Sequence, residues 1–369
     1  MDFDFSEAQN IMLNSAKNFL EKEAWGVARD AEKTDKGYSE ELWKKMAELG
    51  WFGVVLPEEY GGISGTFVDL VLLLEEIGKA IAPGPVIAAI LCGLSILEFG
   101  SESQKEEFLP KIIDGSLILS HALIEPDTKL GENKIDEQVI RNNGDFKISG
   151  TRLLVPFSHI ADWILYYTVT DKGNIMFMID ASTPGIRSIP LNSIGGDKPC
   201  ELILKDVITP ASNILGHEGN AEEILKKINL WGALTYSAYI LGMLEQSLTM
   251  TVAHAKEREQ FEKKIGSFQA IQHQCANMAT DIDQIKFLTY QAAWRLSQGL
   301  SAEKEISMAK AWASDASRRV CLLGIKIHGG IGVSEEYDMQ LYFRRAKAFE
   351  LTFGDGDYHR EIVAQKCGL

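Results

Sequence analysis

Residues Glu257 to His273 read EREQFEKKIGSFQAIQH, and they gather groups suited to gripping an anionic, ring-bearing ligand. Arg258 offers a rigid fork of N–H donors that matches phosphate or carboxylate oxygens two at a time. Gln260 adds an amide donor, and Phe261 an apolar face for a ring. Ser267 to Gln269 open a helix, where unpaired backbone amides and the positive end of the helix favour an anion. Further on, Ile327-His328-Gly329-Gly330-Ile331-Gly332 lets a backbone approach a ligand closely, because glycine carries no side chain to hold it off. Plainer roles fit the same residues: Arg258 in surface ion pairs with Glu257 and Glu262, Gly329-Gly330 as a helix cap, His273 as an interhelical histidine.

Other chemistries find little support. No Cys-x-x-Cys or His-Glu-x-x-His occurs, and the five cysteines (Cys92, Cys200, Cys275, Cys321, Cys367) are odd in number and far apart. Neither a zinc site nor a disulfide framework is indicated. Buried thiols in a reducing, cytoplasmic setting are expected. A net charge of −15 argues against a nucleic-acid binder, since phosphate backbones need a basic face, and disfavours an anionic membrane surface. The opening MDFDFSEAQN lacks the basic region and apolar run of a secretory signal. The most apolar stretch, Ile81 to Phe99, is broken by Pro83, Gly84 and Pro85 and reads as buried core, not a membrane span.

These groups need elements to position them. A chain of 369 residues exceeds one hydrophobic core, so two or three subdomains are expected. Residues 1–116 read as a helical domain. Ser6 with Gln9 and Ser101 with Gln104 fit the capping box, and Ser39 caps a helix that stops at Gly50. Residues 117–217 run in short β-rich segments, among them FKISG, DWILYYTVT, NIMFMID and ELILKDVIT, which suggest a small antiparallel sheet or barrel. Residues 218–369 return to helical spacing over 221–256, 268–296, 302–327 and 335–349, a four-helix bundle. The fold class is α+β: helical domain, antiparallel β-domain, four-helix bundle.

The segment at 257–273 resembles the flavin-binding stretch of the acyl-CoA dehydrogenases, ER-x-x-FG-x-x-I-x-x-FQ-x-x-x-H. The resemblance runs from Phe5-Ser6-Glu7 to the end of the chain. It includes Leu49-Gly50-Trp51-Phe52-Gly53, Leu56-Pro57-Glu58-Glu59-Tyr60-Gly61-Gly62, Glu125-Pro126 and Ile327-His328-Gly329-Gly330-Ile331-Gly332. It implies a bound FAD and an acyl-CoA thioester, desaturated between its α and β carbons. It places Arg258, Gln260, Phe261, Phe268, Gln269, His328, Gly329 and Gly330 at the cofactor. It implies a site shared between subunits, with Arg258 and Gln260 serving one protomer's flavin and Gly329-Gly330 another's, hence a dimer or tetramer. Electron-transferring flavoprotein is the implied acceptor.

The chain departs from the family where the proton is taken. A glutamate normally precedes a glycine after the last basic stretch of the bundle; in Arg344-Arg345-Ala346-Lys347-Ala348-Phe349-Glu350-Leu351-Thr352-Phe353-Gly354-Asp355 that place is Phe353. Other branches carry it early in the first bundle helix, where this chain has Gly232 and Ala233, and an arginine that commonly stands beside that place is missing too. The Trp-x-Thr beside the flavin ring becomes Leu154-Val155-Pro156. The Gly-Ser after the Glu-Pro turn becomes Lys129-Leu130, and the Gly after Arg-x-x-Phe becomes Glu262. The Thr and Gln that bind flavin after the base become Asp355 and Asp357. Leu351-Thr352-Phe353-Gly354-Asp355 and Val155-Pro156 resemble the sub-branch acting on steroid and alicyclic acyl-CoAs, whose members often pair a chain holding the base with a homologous chain lacking it.

The catalytic residue stays open. Asp355, Asp357 and Glu350 are the nearby carboxylates that a raised pKa could turn into a base. The expected function is FAD-dependent dehydrogenation of a bulky or cyclic acyl-CoA, as the base-lacking subunit of a heteromer. The alternatives are a non-catalytic structural paralogue, and a flavin reductase or monooxygenase on the same fold.

Overall fold

The structure is a computed structural model describing residues 5–126, 138–142 and 144–369. The substitution expected at Lys129-Leu130 lies outside the described residues. Helices α1 (Glu7–Glu23), α2 (Val27–Glu32), α3 (Glu40–Glu48), α4 (Phe67–Ala80), α5 (Val86–Phe99) and α6 (Glu102–Ile113) open the chain. Strands follow: β1 (Leu119–Ala122), β2 (Gln138–Asn142), β3 (Asp145–Pro156), β4 (Trp163–Thr170), β5 (Gly173–Asp180), β6 (Ile186–Pro190) and β7 (Pro199–Pro210). The chain then runs through α7 (Ala221–Glu257), a hairpin of β8 (Glu259–Gln260) and β9 (Lys263–Lys264), α8 (Gln269–Ser297), α9 (Glu303–His328), α10 (Met339–Phe349) and α11 (Gly356–Lys366). This is the helical, β, helical order expected of an α+β chain. The sheet region is not antiparallel throughout, because β1 runs parallel to β4. The C-terminal region carries α11 beyond the four helices expected.

The local reasons are capping and patterning. Ser6 Oγ accepts from the Gln9 amide (3.2 Å) while the Gln9 side chain takes the Ser6 amide (3.0 Å). Ser101 and Gln104 repeat the exchange, and Ser39 Oγ accepts the Leu42 amide. Each bond satisfies an orphan amide and fixes where a helix begins.

Residue contacts gather the described chain into two compact units. One holds Asp30–Gly65 and the described part of Pro83–Gly232. Its β1-β4-β5 and β2-β3-β7-β6 sheets enclose a core of Phe146, Ile148, Val155, Ile164, Tyr166, Phe177, Leu202 and Val207. The apolar α5 is buried over Val86–Ile96 in the same unit.

The other unit holds the described residues up to Arg29, with Thr66–Ala82 and Ala233–Leu369. Within it α9 packs against α8, α10 and α11. Ala309, Ala313, Ala316 and Ser317 keep α9 thin enough for such neighbours. Here α4 and α7 cross backbone to backbone: a Cβ on Gly242 would stand 1.8 Å from Glu75 O, and one on Gly78 2.2 Å from Tyr239 O. No repacking of a distant side chain relieves a clash with a carbonyl. Gly242→Ala is therefore expected to destabilise this unit by about 3 kcal/mol or more, read as a lower urea midpoint; an unchanged midpoint would disprove the close crossing.

Candidate functional site

At one end of the helical unit α7 gives way to the hairpin. The Arg258 amide donates to His254 O (2.8 Å), and the Ile265 amide donates to Arg258 O (2.9 Å). Glu259 pairs with Lys264 and Gln260 with Lys263 across the ladder. The two turn residues, Phe261 and Glu262, both take left-handed backbone, φ 54° and 65°. That is the geometry of the tight hairpin turn that favours glycine, so a glycine in resembling chains has a conformational reason, and Glu262 bears the strain here.

Arg258 is exposed, and among the described residues its guanidinium has no salt-bridge partner. The plain reading of Arg258 paired with Glu257 or Glu262 is not what forms; Glu259 pairs instead with Lys264 (2.7 Å). Helix α8 starts at Gln269 with Phe268 as its N-cap and no side-chain cap bond, leaving first-turn amides without a side-chain acceptor. Phe261 is 87% exposed and sets its ring edge-on to Phe268 at 6.3 Å. The Gln260 side chain turns back to Glu259 O (2.7 Å). His273 is exposed, not interhelical.

The end of α9 meets the same region. His328 stacks on His254, ring centres 4.4 Å apart, which brings Gly329-Gly330 to the end of the unit where Arg258 stands, one turn past His254. His328 is buried, donates Nδ1–H to Gly324 O (2.7 Å) and accepts from the Tyr337 hydroxyl at Nε2 (3.1 Å). Burial, with His254 beside it, lowers its pKa and keeps it neutral. Gly329 has φ 68°, and no atom stands within 4 Å of where a Cβ would sit on Gly329 or Gly330. An arginine without a salt-bridge partner among the described residues, a helix start with no side-chain cap and two glycines facing open space form a set that fits a phosphate-bearing cofactor.

Position 353, where the resemblance puts the family's glutamate, lies in a turn between α10 and α11. Phe353 is half-buried with φ 56°. Its ring lies 5.7 Å from Tyr236, which also meets Phe349 at 5.2 Å; Tyr239 meets Phe349 at 5.5 Å. An aromatic cluster stands where a carboxylate was expected. The nearby acids are already engaged: Asp355 caps α11 by accepting the Tyr358 amide (2.9 Å), Asp357 pairs with Arg360 (2.6 Å), and Glu350 pairs with Lys347 (2.5 Å). Ala233, the neighbour of Gly232 on α7, is buried and its carbonyl accepts from Ser237.

In the β-unit, a bulge in β3 between Arg152 and Val155 re-aims Leu154, which takes φ 56° and is 57% exposed. Arg152 is wholly buried, donating to Tyr167 O (2.7 Å) and lying near Glu125 of the Glu-Pro turn (3.8 Å). This unit also has an open cavity of about 610 Å³ whose lining includes Ser158, His159, Asp162 and Asp180; none of the eight expected cofactor residues is in it. His159 meets Cys200 beside it (3.3 Å). Cys275 and Cys367 are not buried, unlike the other three thiols.

One residue at the turn went unread in the sequence. Lys310, fully buried, donates into the carbonyls around Phe353. Its signal was a lone lysine in the alanine-rich stretch Ala309-Lys310-Ala311-Trp312-Ala313-Ser314.

Residues 6–116 match the family model described as acyl-CoA dehydrogenase, N-terminal domain, and residues 205–368 match acyl-CoA dehydrogenase, C-terminal domain. The chain is 32% identical to a probable acyl-CoA dehydrogenase, YngJ, of Bacillus subtilis, with 99% of each covered. It superposes on the FAD complex of PigA with a TM-score of 0.91 at 28% identity, covering both chains fully. It superposes on a chain of the ChsE4-ChsE5 complex from Mycobacterium tuberculosis with a TM-score of 0.92 at 26% identity, covering 100% of this chain and 99% of that one. Among the described residues no helix is long and apolar enough to cross a membrane, and no group of three or more His, Cys, Asp or Glu could hold a metal ion.

Glu262→Gly is expected to stabilise the hairpin by roughly 0.5–1 kcal/mol, by removing a side chain from left-handed backbone. Slower hydrogen exchange at the Ile265 amide is the readout, and unchanged exchange would count against strain at this turn.

Proposed function

Since this chain belongs to the acyl-CoA dehydrogenase family of FAD-dependent oxidoreductases acting on CH–CH bonds, we propose that it is the base-lacking subunit of a heteromeric dehydrogenase for bulky or cyclic acyl-CoA thioesters. The observation that carries this reading is Phe353 in its aromatic cluster, at the position where the family holds its glutamate, with each nearby acid committed to a cap or an ion pair.

FAD, when bound, supplies a hydride acceptor. The fork of Arg258 would hold its pyrophosphate oxygens, with amides of the first turn of α8 and the side chains of Gln269 and Gln260 adding donors. Gly329 and Gly330 admit the cofactor because nothing fills the space beside them. Phe261 and Phe268 offer ring faces. His328, neutral and bonded on both nitrogens, stays beneath Gly329 as a support.

The proton is the step this chain does not perform. A base must stand within hydrogen-bonding reach of the α-carbon, and Phe353 offers a ring in its place. The half-buried rings of Phe353, Phe349 and Tyr236 suit a broad, apolar acyl group. Exposed Phe261, Phe287, Val333 and Leu351 on the helical unit support burial against a second, homologous chain, and the ChsE4-ChsE5 complex is a precedent for two unlike chains. Electron-transferring flavoprotein would take the electrons. Unpaired cysteines support a cytoplasmic setting. A structural paralogue would keep the fold without the flavin, so colour separates the two readings.

The chain, purified with a homologous partner, should be yellow with flavin in stoichiometric amount; a colourless assembly sinks the reading. Arg258→Ala should weaken FAD binding about tenfold to a hundredfold, through loss of a charge-assisted pair, measured by flavin fluorescence on titration. Phe353→Glu should raise exchange of the thioester's α-proton in deuterated buffer by about 100-fold or more. No gain, in a yellow protein that binds thioester, would show that position 353 is not the place of the base.

A further inference from the structure

Lys310 lies two turns into α9 with 0% of its surface exposed. A lysine so placed must have its N–H groups satisfied inside the protein. Nζ donates to Gly354 O (2.7 Å), Ser314 Oγ (2.8 Å) and Glu350 O (3.1 Å), with Phe349 O at 3.4 Å. Ser314 Oγ in turn donates to Glu350 O (2.9 Å). Three N–H donors meet three near acceptors, which is the inventory of an ammonium. Burial outweighs the opposing charges of Asp355 and Glu350 and pulls the lysine's pKa down to about 7, while the three acceptors around Nζ favour the protonated form.

The carbonyls come from both limbs of one turn. Phe349 and Glu350 close α10, and Gly354 precedes α11. Between them the backbone is left-handed at Phe353 (φ 56°) and again at Gly354 (φ 103°). A turn with a phenylalanine in left-handed backbone, which Gly354 after it tolerates freely, needs restraint from outside itself. His359, on α11, supplies a second hold: its Nε2–H donates to Phe353 O (2.8 Å), and burial keeps the ring neutral, its pKa pushed down to about 4. A lysine from α9 and a histidine from α11 thus grip the carbonyls of residues 353 and 354.

We propose that Lys310 is a positioning residue: its ammonium, received by carbonyls on both limbs of the turn, fixes where the side chain at position 353 stands. The functional weight of that role rests on position 353 being the family's place for the base. The hold itself is a property of the fold and is tested without flavin.

The test uses the full chain with Lys310→Met, which keeps length and removes all donors, and Lys310→Gln, which keeps an amide donor. Hydrogen exchange of residues 350–356 should rise roughly tenfold or more in the Met variant and less in the Gln variant, while α8 stays near the wild-type rate. In the Phe353→Glu background, Lys310→Met should lower kcat for α-proton exchange about 100-fold and leave KM nearly unchanged, as expected for a misplaced group. Unchanged exchange in the turn overturns the proposal. So does exchange raised equally across α8, α9 and α11, or failure of both variants to fold, since either makes Lys310 a general support. A colourless wild type with a turn loosened in the Met variant sinks the functional reading alone. Phe353→Glu turnover indifferent to Lys310 sinks the positioning role alone.

Discussion

A carbon-bound proton leaves only to a base within hydrogen-bonding reach, and the ring of Phe353 has no lone pair to receive it. This limit decides how the helical unit is to be understood. The aromatic contacts of Phe353 with Tyr236, and of Phe349 with Tyr236 and Tyr239, make the place where charge was expected apolar. An isolated carboxylate moved there would lose much of its hydration, so its pKa would rise. Such a setting suits a catalytic acid-base group, which supports the proposed reading of position 353. Asp355, Asp357 and Glu350 lie nearby in sequence yet cannot inherit the role unchanged, because each serves a cap or an ion pair.

Anion binding depends on the opposite economy, donors left unspent. The hairpin that follows α7 uses Lys264 to neutralise Glu259 and leaves Arg258 without a salt-bridge partner among the described residues. An exposed arginine gains little from a surface pair, so leaving it free costs the fold little. The first turn of α8 behaves alike: Phe268 gives it no side-chain cap, whereas Ser6 and Ser101 cap their helices fully. Helices α5, α9 and α10 also begin without a side-chain cap, so the open start of α8 counts only together with Arg258 beside it, where a ligand's oxygens could substitute for a cap.

What the sequence made legible follows from which signals are local. Ser6-x-x-Gln9 and Ser101-x-x-Gln104 predicted helix starts because capping is settled within four residues. Helical spacing located α7 to α10 for the same reason. Helix α11 escapes that spacing because its eleven residues carry a weak apolar pattern. The parallel β1–β4 pair depends on partners over forty residues apart, which no local pattern encodes. At the site, Arg258 and the glycines were found by motif. The His254–His328 stack that brings their two helix ends together was not, nor were the carbonyls that receive Lys310; both are tertiary facts.

Backbone strain gives a separate line on whether the site is relic or working. Leu154, Glu262 and Phe353 are three of the departures from the family pattern, and each has left-handed backbone, at φ 56°, 65° and 56°. Such conformations cost a residue with a side chain of order 1 kcal/mol each and persist only where neighbours impose them. A scaffold drifting free of function would relax them, by a glycine at the strained position or by loss of the bulge, hairpin and turn that enforce them. In this chain the bulge of β3, the two-residue turn of the hairpin and the hold of Lys310 on the Gly354 carbonyl impose that geometry. Neighbours that impose this strain at three separate places fit a chain whose bulge, hairpin and turn are held for a use, since an idle scaffold gains nothing from the cost.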